Sequence, residues 1–340
     1  MSFVEYLLRR LFLSGFVVFG VALLIFVVSQ VVPSDPASLY AGPRPSADQI
    51  EAARASLRLD DPVLVRFTTF LTNMASGDFG VSYRTRRSIA QDLQVFLPAT
   101  LELAFLSTLF ALIIGVPLGV WAAARRGRVV DRILSFSSVA SVAMPTFFLA
   151  MLLQALFAQW LGWLPLSGRL SQQYALFEPF DTVTGLYTID ALISGSIGGF
   201  FDAAKHLVMP ALTLAAYPAG VAMRLTRSSM IDILARRHIT AARALGISER
   251  RILFGHALPN AMAPALTIVG LSFAFALTGA VLVEIIFAWP GLGKYIFEAV
   301  LSKDFPVIAA TAFVVSLCYV LMNLVIDLIQ ALIDPRITVS

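Results

Sequence analysis

Apolar residues run almost unbroken through six stretches of this 340-residue chain, and polar residues collect in the gaps between them. A helix crossing a hydrocarbon core of about 30 Å needs roughly 20 apolar residues. Residues 11–32 reach that length without a charge, and residues 99–124 do so with Glu102 near one end and Pro117 inside. Residues 133–164 form an uncharged run longer than one perpendicular crossing, which a tilt or a projection beyond the membrane would accommodate. Residues 207–223 are shorter and are punctuated by Pro210 and Pro218. Residues 257–283, entered near Pro264, and residues 305–326, stopped by Asp327, complete the set. The pattern predicts an all-α membrane protein with six transmembrane helices. Pro117, Pro145, Pro210, Pro218 and Pro264 read as ordinary kinks of membrane helices. The first run exceeds the apolar part of a signal peptide and no small-residue cleavage site follows it, so it reads as a retained span.

The gaps differ in kind. Residues 33–98 mix prolines and charges, with a short helix expected over 48–59, and read as a folded extracytoplasmic region. Residues 168–205 are a Gly/Ser-punctuated insertion holding Phe177, Phe180, Tyr187, Phe200 and Phe201. The expected organisation is thus an N-terminal span (1–32), a long extracytoplasmic loop (33–98) and a core of five spans (99–340) interrupted by a cytoplasmic loop at 224–259.

Composition agrees with that picture and narrows it. Hydrophobic residues make up 58% of the chain and charged residues 14%, with mean hydropathy +0.83, far from the balance of a water-soluble domain. The net charge of +4 and pI near 9.4 are spread between apolar runs, so they orient spans and do not mark a nucleic-acid surface. With the N-terminus inside, 14 arginines fall in the inner segments against four basic residues in the two short outer loops. The seven arginines of the 33–98 loop carry little weight, because loops above about 60 residues translocate largely regardless of charge. Both termini are therefore expected in the cytoplasm.

Catalytic and metal chemistry find little footing. The single cysteine, Cys318, excludes an internal disulfide, and His206, His238 and His256 lack metal-ligand spacing. Those histidines flank spans and do not sit within them, and Gly195-Ser196-Ile197-Gly198 is not a nucleophile elbow. No Gly-rich loop followed by Lys-Ser/Thr is present to cradle phosphates, so no catalytic and no metal residue is expected, and energy must come from a partner. An ion-coupled transporter is the competing class. It needs polar groups near mid-bilayer, for which Gln154 and Asn323 are the best available.

One polar stretch, residues 240–259, is built to be held by another protein. Ala241, Ala242 and Ala244 favour a helix, Gly246 can end it, and Ser248 can cap the next. Small side chains on the first helix would let a partner approach closely. The spacing resembles the cytoplasmic signature loop of importer-type ABC permeases, with Ala241, Ala242, Gly246, Leu258 and Pro259 on its positions. Thr240 stands in place of the leading Glu, as it does in the peptide-type branch of that family. Similarity to the dipeptide/oligopeptide/nickel permeases then extends along the chain. It runs through Pro33-Ser34-Asp35-Pro36, Gly77-Asp78-Phe79-Gly80-Val81-Ser82, Leu97-Pro98-Ala99-Thr100-Leu101-Glu102 and His206-Leu207-Val208-Met209-Pro210. Further on come Glu284-Ile285-Ile286-Phe287-Ala288-Trp289-Pro290-Gly291-Leu292-Gly293 and Asp334-Pro335-Arg336. Ser34 stands where that family usually has Gly.

The resemblance implies a type I ABC importer permease, a multi-pass protein of a bacterial or archaeal cytoplasmic (inner) membrane. It implies a second homologous permease, two ABC ATPase subunits and an extracytoplasmic substrate-binding protein as partners. No cofactor belongs to this chain; ATP and Mg would lie on the ATPases. Peptides are the leading substrate, with nickel chelates, glutathione and oligosaccharides open. Thr240, Ala241, Ala242, Ala244, Gly246, Leu258 and Pro259 would form the coupling loop. Glu284, Trp289, Pro290 and Gly291 would form an outer gate or a binding-protein contact, although Glu284 and Glu102 lie close enough to span ends to be simply solvated. Trp289 would then be an interfacial anchor, and the glycines after it would supply positive φ.

Overall fold

The computed structural model describes residues 3–31, 35–42, 44–261 and 263–333. Among them every regular element is helical, and the one extended pairing is an isolated antiparallel bridge between Val81 and Ser88. In chain order the helices are α1 (Phe3–Val31), α2 (Pro36–Ala41), α3 (Ala47–Ser56), α4 (Val63–Ser76), α5 (Ile89–Ala124), α6 (Val129–Ala143) and α7 (Thr146–Leu153). They continue as α8 (Tyr187–Ile193), α9 (Ile197–Leu234), α10 (Arg237–Ala244), α11 (Glu249–Arg251), α12 (Leu258–Ala261), α13 (Ala263–Ile286), α14 (Leu292–Leu301) and α15 (Phe305–Ile333). Pro33, Ser34 and the Asp334-Pro335-Arg336 stretch lie outside the described residues.

Among the described residues four helices are long and apolar enough to cross a membrane: Leu7–Val31 within α1, α5, α9, and Phe305–Leu328 within α15. The pair α6 and α7 adds a fifth if it is one crossing. That pair corrects the reading of Pro145 as an ordinary kink in a tilted or projecting run of 133–164. The chain bends by 108° between the two helices, because Pro145 has no N–H to continue the ladder and pushes Met144 to φ −74°, ψ 126°. Pro98, Pro117, Pro210 and Pro218, by contrast, sit inside continuous helices. Helix α5 starts at Ile89, ten residues before the apolar run, and at 36 residues extends about 54 Å.

The chain divides into two compact units, residues 3–97 with 295–324 and residues 98–294 with 325–333 among those described. In the first, Phe26 of α1 packs on Phe67 and Phe70 of α4, with ring centroids 5.1 and 5.8 Å apart. Ser46 and Gln49 form a reciprocal capping box that starts α3 close to the expected position. Gly77, at φ 77°, ends α4, and the following turn brings Ser82 to Asp304, whose carboxylate accepts from the Ser82 hydroxyl at 2.6 Å.

In the second unit α9 is the hub. Gly115 and Gly119 of α5, one turn apart, meet the backbone of α9 so closely that a Cβ on either would strike the carbonyls of Ala219 and Met223. Ser138 of α6 donates to the Gly220 carbonyl at 2.8 Å, and Arg227 of α9 grips Asp131 of α6 through two bonds of 2.6 and 2.9 Å.

Candidate functional site

The loop between α9 and α13 folds on its own chain. Ile239 and Ala242, three residues apart on α10, face inward and join Val120 and Ala123 of α5, Met230 and Ile233 of α9, and Ile252, Ala257 and Ala261 beyond the turn. Ala242 is therefore small because this chain's own core leaves no room. Its expected role in admitting a partner passes to the opposite face, where Thr240, Ala241 and Ala244 are exposed. Leu245 is 81% exposed at the tip, which the sequence reading passed over. A leucine at the C-cap, immediately before a helix-ending glycine and so past the last turn of α10, is the signal that could have found it.

Gly246 has φ 76° and terminates α10 with a Schellman pair: its own amide donates to Arg243 O at 3.0 Å, and the Ile247 amide donates to Ala242 O at 3.2 Å. Ile247 and Leu258 then pack against the same core. Ser248 adopts the extended backbone of a helix-capping residue, but its hydroxyl makes no capping bond. The turn is tied instead by Arg243, which donates to both carboxylate oxygens of Glu249 at 2.7 and 3.3 Å. That bond holds the Glu249 carboxyl below its ordinary range. Both side chains are exposed, so the pair contributes less than about 1 kcal/mol. Past Arg251 the helix widens to i→i+5 bonding over Ile252–Ala257 before Leu258 and the exposed Pro259. What this assembly presents is a small apolar knob on a fixed base.

A second constellation surrounds the start of the apolar part of α5. Glu284, at the end of α13, is fully buried and not solvated. Its carboxylate accepts from the Thr100 hydroxyl at 2.7 Å and from the Lys294 amide at 2.8 Å, while Thr100 Oγ1 accepts from the Leu292 amide at 2.7 Å. Trp289 is buried as well, its indole N–H donating to Ala99 O at 2.9 Å. Gly291 and Gly293 do not supply positive φ; that falls to Ala288, at 49°. The two glycines permit close approach: a Cβ on Gly291 would collide with the Glu284 carboxylate and the Thr100 hydroxyl. Pro290 is half-buried beside them.

Glu102, one turn along α5, is also buried and not solvated. It accepts from Arg169 at 2.6 Å and from the amide and hydroxyl of Thr188 at 2.8 and 2.7 Å. The Arg169 guanidinium lies 3.6 Å from the Tyr187 ring centroid and 5.3 Å from that of Trp289, so the two clusters meet at the indole. Gln154 and Asn323, the polar groups an ion-coupled path would use, bond to main-chain carbonyls: Gln154 to those of Leu166 and Ile286, and Asn323 to that of Tyr319.

The family model described as the binding-protein-dependent transport system inner membrane component matches residues 115–339. The model of the N-terminal part of such membrane components matches residues 3–104. The chain is 42% identical over 337 residues to the probable D,D-dipeptide transport system permease protein DdpB of Escherichia coli, covering 99% of this chain and 98% of that one. It is 38% identical over 332 residues to the dipeptide transport system permease protein DppB of Alkalihalophilus pseudofirmus, covering 98% of each. It is 37% identical over 334 residues to the glutathione transport system permease protein GsiC of Salmonella choleraesuis, again covering 98% of each.

Proposed function

The chain belongs to the family of inner membrane components of binding-protein-dependent transport systems, and from that membership we propose that it is the permease subunit of an ATP-driven importer of di- and oligopeptides. Six crossings, α1, α5, the bent α6–α7 pair, α9, α13 and α15, place both termini and residues 224–259 in the cytoplasm and residues 33–98 outside. The distribution of arginines supports this orientation, and α13, with 24 residues, has the length for the sixth. A second permease completes the path, two ATPase subunits carry ATP and Mg, and an extracytoplasmic protein delivers the substrate.

The observation that carries the reading is the apolar knob of Ala241, Ala244 and Leu245 seated on a core shared with α5 and α9. An ATPase cleft closing on Leu245 pushes α10. Through Ile239 and Ala242 it then moves Val120, Ala123, Met230 and Ile233 as one body. Ala99 lies 21 residues before Val120 on α5, about 32 Å along a straight helix. There the same helix holds Trp289, Glu284 and Gly291, which act as the outer gate. The coupling is thus a single helix clamped at both ends. Peptides are favoured over glutathione because the two relatives of higher identity quoted above are named for dipeptides.

Reconstitution tests this. The chain with its two ATPases, a second permease and the binding protein should hydrolyse ATP faster when dipeptide-loaded binding protein is added, and should import labelled dipeptide. ATP hydrolysis by this chain purified alone, or import driven by an ion gradient without ATP, would refute the division of labour.

A further inference from the structure

The first compact unit contains a cavity of about 420 Å³ that none of the transport machinery described above uses. It opens between Ser29 at the end of the membrane-capable part of α1 and Phe305 at the start of that of α15, so it lies at a membrane boundary whichever way the chain is oriented. Its wall mixes apolar and aromatic surface with two charged groups, Arg66 and Asp78. The other guanidiniums of the neighbouring turn are spent: Arg84 on Glu298, Arg86 on the Tyr40 carbonyl, Arg87 on Asp92. Half-buried Arg66 has no carboxylate and no side-chain hydrogen bond among the described residues. Among the described residues Asp78 accepts only from the Gly80 amide, at 3.1 Å, which leaves acceptor capacity on its carboxylate. The two opposite charges share a cavity without bonding each other.

We propose that this cavity binds the headgroup of phosphatidylethanolamine, its phosphate on Arg66 and its ammonium on Asp78. A guanidinium and a carboxylate held apart in one partly apolar pocket are complementary to a zwitterion and are not matched by a simple anion. The boundary position selects a lipid over a soluble zwitterion, because its acyl chains stay in the bilayer beside α1 and α15. A primary ammonium is selected over a quaternary one, since Asp78 is an acceptor and only the former has N–H groups to give it. The Tyr83 phenol, pushed up to about 12 by burial and by the Asp304 charge, stays protonated on the same wall and adds a hydroxyl donor to it.

Native mass spectrometry of the full chain tests this, with the protein released from micelles holding equal amounts of phosphatidylethanolamine, phosphatidylcholine and phosphatidylglycerol of the same acyl composition. Wild type should retain phosphatidylethanolamine about tenfold over phosphatidylcholine, the ratio that about 1.4 kcal/mol supplies. Arg66→Gln and Asp78→Asn should each bring that ratio close to one, and Ala309→Phe, which fills the cavity, should lower retention of all three. Arg250→Gln, in the other compact unit and outside the cavity lining, should change nothing. Equal retention of the three lipids by wild type would overturn the assignment, as would a preference for phosphatidylglycerol. So would a phosphatidylethanolamine preference that survives both charge-removing substitutions, or its displacement by free dipeptide.

Discussion

The amide of Ile247 donates to the carbonyl of Ala242 at 3.2 Å, closing the backbone over Gly246. That closure needs the left-handed φ of 76°, which a β-branched residue reaches only at a strain of about 1–3 kcal/mol. Sterics add nothing, since a Cβ at Gly246 meets no atom within 4 Å. Gly246→Val should therefore leave the chain inserted in the membrane but weaken ATPase binding and transport. Gly246→Asn, which tolerates this conformation better, should keep most of both. Co-purification with tagged ATPase and peptide uptake are the measurements. Full association and full uptake by Gly246→Val would remove the turn from the coupling path.

Ala242 and Leu245 lie three residues apart and should fail differently. Ala242→Leu overpacks a filled core and is expected to cost about 1–3 kcal/mol, lowering the melting temperature of the purified chain before any partner is added. Leu245→Glu changes an exposed side chain and should leave that melting temperature alone while abolishing ATPase co-purification. The opposite assignment of effects would mean that α10 presents its other face.

Orientation is tested by labelling in a Cys318→Ser background. Single cysteines at the exposed positions Ser46, Gln172 and Ser248 should react with an impermeant maleimide in intact cells at the first two only. Reaction at 248 from outside would invert the topology and with it the coupling role of the loop.

Much of the fold was legible because a helix in lipid must stay apolar where it crosses, which marks the apolar parts of α1, α5 and α15 directly; of α9 only the middle, 207–223, showed, because charged residues flank it on both sides. The break at Pro145 was hidden by the same rule, since apolar residues continue on both sides of it. The start of α5 was missed because its first turns, with Asp92 and Gln94, are polar and lack the apolar run that marks a crossing. The turn at Gly246 was legible since one residue type determines it. The burial of Glu102 and Glu284 was not, because their partners Arg169 and Thr100 lie 67 and 184 residues away and nothing local announces them.

The Glu102–Arg169 pair provides a quantitative test of that hidden network. Both side chains are almost fully buried, so removing one charge strands the other, at about 3–5 kcal/mol for a buried pair. Glu102→Gln and Arg169→Met should each lower the thermal stability of the purified chain strongly. The double substitution should cost clearly less than the two single costs together. Additive losses would show that the two groups act independently, through Thr188 and Tyr187 respectively.

Gly291 tests whether α5 is clamped at Ala99 and Thr100 as tightly as the geometry implies. A methyl group there meets the Glu284 carboxylate and the Thr100 hydroxyl, both fixed by further bonds to Lys294 and Leu292, so neither can retreat without losing a buried partner. Gly291→Ala should destabilise the chain by about 1–3 kcal/mol through overpacking. Gly279→Ala, within α13 and at ordinary contact distance from Phe275, should be neutral or stabilising by up to about 1 kcal/mol. Adding Glu284→Ala to Gly291→Ala opens the space the methyl needs and should recover part of the loss in a thermal melt. Gly291→Ala indistinguishable from wild type, in both melting and uptake, would show that the α13–α14 turn yields freely and cannot serve as a gate held by Thr100.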